Sequence, residues 1–159
     1  MAFEKIKYGQ VEPNHLSAQR TGQIYAQLPA ADSISALENG QFVKYDYASG
    51  NVNFTAEDGE WMLVYNEVKL YDERLSYADF RMEKGVDGKM YPRVFKTNVG
   101  DIYTTNMIDA VEVGVGTTLA PNSTGVLTTA GSDAEMIWKV VKVYTMADGK
   151  PAVKLQRIK

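Results

Sequence analysis

One short pattern recurs along this chain and limits what it can fold into. Leu37-Glu38-Asn39-Gly40-Gln41-Phe42-Val43 leads through Ala48-Ser49-Gly50 to Asn51-Val52-Asn53-Phe54. Val115-Gly116-Thr117-Thr118-Leu119 leads through Asn122-Ser123-Thr124-Gly125 to Val126-Leu127, and Val99-Gly100-Asp101-Ile102-Tyr103 is a shorter echo. Each copy reads as a glycine turn, a short strand, a second glycine turn and a return strand. Glycine takes the positive φ that tight turns between paired strands require. A chain punctuated this way is built from hairpins, and the expectation is a small β-protein.

The rest of the chain agrees. Gln41 to Tyr47 and Asn51 to Phe54 read as a hairpin, and Trp61-Met62-Leu63-Val64 is an apolar run suited to a strand buried on both faces. Ser35 to Gly40 and Gly85-Val86-Asp87-Gly88 read as turns. Tyr91 to Thr97, Ile102 to Thr105 and Val111 to Val113 read as further strands. The clearest hairpin is C-terminal: Glu135 to Tyr144, a turn at Ala147-Asp148-Gly149-Lys150, and Pro151 to Ile158. Val140 and Val141 are adjacent and break strict alternation, which predicts a bulge or a strand crossing between two packing environments. Glu67 to Asp87 fits either a short helix, with Tyr71, Leu75 and Ala78 to Phe80 on one side, or an irregular loop. The 10 tyrosines, together with Val and Thr, suit a pleated surface. The expected fold is mostly β: a compact antiparallel barrel or sandwich of short hairpins with an extended N-terminal arm.

Residues 1–31 form that arm. They mix Gln, Asn and Ser with Pro13 and Pro29, which is poor core material and suits a segment that orders on a partner. Residues 32–159 form the β-rich domain, with a division into two small glycine-turn β-repeats at about 32–70 and 90–159 as the alternative. A chain of 159 residues buries roughly two-thirds of its unfolded surface, enough for a core without staples.

Chemistry is sparse. With no cysteine, the chain has no disulfide, no thiolate metal ligand and no thiol nucleophile. The single histidine, His15, lies in the arm, where nothing orients an imidazole for catalysis, and zinc needs several His or Cys ligands. The acidic pairs Asp72-Glu73, Glu57-Asp58 and Asp133/Glu135 lie near turns and match no calcium loop. Gly114-Val115-Gly116 is half of a dinucleotide fingerprint with neither the third glycine nor a following helix. The expectation is a non-enzymatic protein with no cofactor and no metal. No apolar run is long enough for a membrane helix, and the N-terminus has no apolar signal-peptide stretch. Lys139, Lys142, Lys154, Arg157 and Lys159 cluster near Trp138 and Tyr144, so an OB-like nucleic-acid-binding protein is an alternative. The net charge of −3 weighs against it.

With these residues in place, the chain resembles the small decoration, or cement, proteins of tailed-bacteriophage capsids. The resemblance rests on the Gly40-x-Phe42-Val43 and Gly50-x-Val52 unit and its copy from Gly116-Leu119 to Gly125-Leu127. The closing hairpin from Ile137 to Ile158 and the loosely patterned first thirty residues support it. It implies a protein made in the host bacterial cytoplasm and placed on the capsid surface of the virion. There it binds the outside of the assembled shell and stabilises contacts between major capsid protein subunits, with self-association as a dimer or trimer compatible. No nucleic acid and no membrane are expected as partners. The partner-binding residues this implies are Tyr8, Arg20, Ile24, Tyr25 and Leu28 in the arm, with Tyr71, Arg74 and Tyr77 beyond it. Glycine-spaced hairpins also occur in tail, connector and head-fibre proteins, which remain the alternative among virion components.

Overall fold

The repeated turns share one geometry. In Glu38–Gln41, Asn98–Asp101 and Gly114–Thr117 the fourth residue's amide donates to the first residue's carbonyl, at 3.2, 3.0 and 3.1 Å. The third residue is glycine at φ 94°, 98° and 94°. This is the positive φ that the third position of a type II turn demands. The second residue separates the copies. Asn39 is buried and points inward, whereas Val99 and Val115 stand in solvent at 67% and 72% exposure.

A computed structural model describes residues 9–15, 28–57, 59–66, 81–146 and 149–159. They form the strands β1 (Val11–His15), β2 (Ala36–Glu38), β3 (Phe42–Asp46), β4 (Asn51–Asn53), β5 (Trp61–Val64) and β6 (Arg81–Glu83). These are followed by β7 (Val94–Phe95), β8 (Ile102–Thr105), β9 (Thr118–Pro121), β10 (Leu127–Thr129), β11 (Trp138–Thr145) and β12 (Pro151–Arg157). Each of the three turns launches a strand, namely β3, β8 and β9. A six-stranded sheet runs β1-β8-β12-β11-β9-β10, a four-stranded sheet β4-β3-β5-β7, and a two-stranded sheet pairs β2 with β6. All of the strand pairings are antiparallel. The fold is an open β-sandwich. Among the described residues only an isolated bridge, Ile108 to Leu127, links β10 to the segment after β8, and no ladder closes a barrel.

Period-two alternation explains the layering. Phe42 and Leu63 face the six-stranded sheet and join a core with Tyr103, Leu119, Leu127, Trp138 and Leu155. Val43, Tyr45, Met62 and Val64 face the other way, into a second core with Ile34, Leu37, Val52, Met90 and Val94. The four-stranded sheet is therefore buried on both faces, as the Trp61–Val64 run predicts. Phe42, Tyr103 and Trp138 pack as an aromatic cluster, with Tyr103 and Trp138 edge to face at 4.8 Å. Each fully buried side chain of this size stabilises the fold by about 1.5–3 kcal/mol.

Two stretches of residues 1–31 belong to this body. Val11 and Glu12 pair with Thr105 and Thr104, making β1 an edge strand. Pro29 and Ala31 bond both backbone groups of Val52 at 2.9 Å, which straps Ala30 over the second core. Backbone bonding recruits these residues, and side-chain patterning does not report it.

Elsewhere the strand boundaries differ from expectation. Ala36–Glu38 is strand where a turn was expected, because it pairs with Arg81–Glu83. Only Val94–Phe95 of Tyr91–Thr97 is strand, and Val111–Val113 is not strand, with Val113 turned into the first core. Residues 67–80, where helix and loop were both open, lie outside the described residues. In the C-terminal hairpin the register shifts between Val140 and Lys142, so Val141 is a bulge.

Candidate partner-binding surface

Of the residues implied in partner binding, Leu28 is described. It is half-buried and packs against the second core, so this fold uses it structurally. Tyr8, Arg20, Ile24, Tyr25, Tyr71, Arg74 and Tyr77 lie outside the described residues. Their described flanks converge, however. The Gly9 amide donates to Glu38 Oε2. Asn66 and Asn39 exchange two hydrogen bonds, at 2.7 and 3.1 Å. Arg81 pairs in register with Glu38. Residues 9, 66 and 81, next to Tyr8 and on either side of Tyr71–Tyr77, thus meet at the Glu38–Asn39 turn. Gln10 continues the attachment, its amide donating to Asn106 Oδ1 at 2.9 Å. Sequence reasoning missed this amide network. Its one visible signal is the polar Asn39 before a turn glycine.

The basic cluster of the C-terminal hairpin divides in two. Arg157 turns toward the four-stranded sheet, where it pairs with Glu60 at 3.3 Å and donates to the carbonyl and hydroxyl oxygens of Thr97. Lys159 Nζ donates to the Ala134 carbonyl at 2.6 Å. Trp138 is fully buried, so it offers no stacking platform to a nucleobase. Lys139, Lys142 and Lys154 occupy the outer face of the six-stranded sheet, and none has an ion-pair or hydrogen-bond partner among the described residues.

The register fixes the layout of that face. One row runs Ile102, Gln156, Lys139, Thr118, and the next runs Glu12, Thr104, Lys154, Lys142. Lys142 Nζ lies 5.9 Å from the centre of the Tyr144 ring. The Tyr144 hydroxyl donates to Glu12, and burial together with that carboxylate pushes its phenol pKa above the usual value. Val141 stands on the bulge between Lys139 and Lys142, 38% exposed.

Two other surface features are built from turns. An open groove of about 480 Å3 is lined by Tyr45, Asp46, Tyr47, Asn53, Thr55 and Glu57, among others. Exposed Tyr47 stacks on buried Tyr45 at 5.5 Å, which props an aromatic ring in solvent. The Ser49 amide, 3.0 Å from Asp46, is the main cause holding that carboxyl below its ordinary value. Val86, Val99 and Val115 form the second feature, exposed apolar side chains on the glycine turns.

Of the acidic candidates, Asp58, Asp72 and Glu73 lie outside the described residues. Glu135 pairs at 2.8 Å with Lys44, a buried lysine whose Nζ also lies 4.9 Å from the centre of the Trp61 ring. Asp133 accepts from Ser132 at 3.0 Å. Among the described residues no three His, Asp or Glu side chains gather where they could hold a metal ion. His15 is the last residue of β1, its backbone paired with Ile102. No family model matches this chain, and neither a curated protein nor a solved structure does.

Proposed function

We propose that this protein is a non-enzymatic virion component that binds the outside of an assembled bacteriophage capsid and stabilises contacts between major capsid protein subunits. The observation that carries this reading is the display of apolar side chains on rigid turns. Val99 and Val115 stand out from tight glycine turns that are hydrogen-bonded to the central strands of the six-stranded sheet. The Gly100 amide donates to the Arg157 carbonyl, and that of Gly116 to the Val140 carbonyl. A pre-ordered apolar tip loses little conformational freedom on docking, so its burial goes largely into affinity. Binding to a composite site present only on the assembled lattice would stabilise that lattice by mass action.

The test is co-sedimentation of the purified protein with expanded capsid shells and with unassembled major capsid protein. The expected result is saturable binding to shells in a simple ratio to capsid subunits, little binding to free subunits, and a higher temperature of shell disruption. Absence of binding to shells would overturn the reading. Counting the protein in purified virions separates the alternatives, because a few copies per particle point to a tail, connector or head-fibre position.

A further inference from the structure

We infer that the outer face of the six-stranded sheet, with Lys139, Lys142 and Lys154 around Val141 and Tyr144, is a docking face for an acidic protein surface on the shell. This rests on the capsid reading above and names the chemistry of the contact. The first observation is a pairing that works against the fold. Lys142 and Lys154 are direct cross-strand partners. Like charges opposite one another on antiparallel strands are destabilising. The carboxylate in their row, Glu12, lies beyond Thr104 and accepts from the Tyr144 hydroxyl.

The usual reason for lysines on strands does not apply to Lys139 and Lys154. Charged side chains guard exposed sheet edges against pairing with other chains. Here β11 and β12 are the two central strands: Lys139 lies between β12 and β9 and Lys154 between β11 and β8, whereas Lys142 lies beyond the stretch of β11 that pairs with β9. A solvated face also normally mixes both signs of charge. Here Lys139, Lys142 and Lys154 share two rows with one carboxylate, Glu12, and residues 138–159 as a whole carry six Lys or Arg and one Asp, against 11 basic and 19 acidic side chains in residues 1–137. So uneven a distribution orients the molecule, basic face first, toward a negative partner.

The anatomy favours protein over nucleic acid. Val141 and Tyr144 supply apolar and aromatic contact area among the lysines, the arrangement of an interface centre with a charged rim. Binding of single strands relies on free aromatic rings for stacking. Trp138 is in the core, the Tyr144 hydroxyl is held by Glu12, and that carboxylate sets a negative charge at the end of the lysine row.

The experiment measures binding to expanded shells as sodium chloride rises, for the natural protein and for Lys139→Glu/Lys142→Glu/Lys154→Glu. A Lys→Arg triple variant is the control for charge, and the fluorescence of Trp61 and Trp138 reports the fold of each. The expected result is salt-sensitive binding, retained by the Arg variant and weakened by about tenfold or more on charge reversal. If charge reversal perturbs the fold, Lys142→Gln/Lys154→Gln replaces it, with a smaller loss expected. Equal binding by natural and reversed proteins overturns the docking face and leaves the capsid reading standing. Failure of the natural protein to bind shells overturns both. Lysine-dependent binding to a mixed-sequence oligonucleotide in place of shells identifies the face as a nucleic-acid surface and also overturns the proposal.

Discussion

Gly125 is where the two large sheets touch. Its carbonyl accepts the Phe42 amide at 2.8 Å, and a Cβ at this position would meet the Phe42 carbonyl oxygen at 2.0 Å. It also adopts φ 74°. Gly50 has a similar φ of 67° but faces open space. Left-handed strain alone costs a non-glycine residue about 1–2 kcal/mol. Gly50→Ala is therefore expected to lose roughly that amount, and Gly125→Ala at least about 3 kcal/mol, since the collision adds to the strain. Urea unfolding of the two variants checks the difference.

Tyr103 presents the opposite case. Its ring is fully buried, and its hydroxyl has no hydrogen-bond partner among the described residues. Removing an unpaired buried hydroxyl relieves its desolvation, so Tyr103→Phe is expected to be neutral or to stabilise by about 1 kcal/mol at neutral pH. Burial also raises the phenol pKa well above its ordinary 10.0. A raised folded-state pKa leaves stability intact below the unfolded value and erodes it as pH climbs from there toward the folded value. The stability of the natural protein should thus fall more steeply above pH 10.0 than that of the Phe variant, as denaturant titrations on either side of that pH would reveal.

Among the elements, β11 shows how a bulge repairs a broken pattern. Strict alternation through Val140-Val141-Lys142-Val143 would send Lys142 into the core. Because Val141 is the extra residue, Val140 and Val143 both face inward and Lys142 faces out opposite Lys154. Deleting Val141 leaves a regularly alternating strand, so the variant should fold in the same register, with its unfolding midpoint lowered by less than about 5 °C. Deleting Leu155 from β12, where no bulge absorbs the change, turns Lys154 or Gln156 inward and should abolish cooperative unfolding. Thermal circular dichroism distinguishes the two. The bulge, the glycine turns and the C-terminal hairpin were legible in the sequence because each leaves a local mark: an adjacent Val pair, a glycine at a turn's third position, a long alternating run. The β2–β6 pairing was not, since three-residue strands far apart in the chain carry no period. Nor was β1, where the Asn106 and Thr105 side chains hold the backbone amide and carbonyl of Gln10. The lysines of the candidate surface were visible as a cluster. Which of them share a face, and that their strands are central, follows only from topology.

At the scale of the whole molecule, the four-stranded sheet is the middle layer. One of its faces completes the first core and the other completes the second. Even its one buried lysine, Lys44, is matched by Glu135 from the segment leading into β11. The layer has almost no free face, whereas the outer face of the six-stranded sheet exposes Lys139 and Lys142 while burying Thr104 and Ala152. The two sheets therefore differ in how freely their sequences can drift. Consecutive positions from Phe42 to Tyr45 and from Met62 to Val64 each answer to a packed neighbour, so substitutions there are constrained without a break. Along Trp138 to Val140 and Val153 to Gln156 constraint falls on every second residue, and the positions between are open to change. A lineage carrying this fold can thus rewrite the charge of its outer sheet, and follow a changing partner, while the buried middle layer stays as it is.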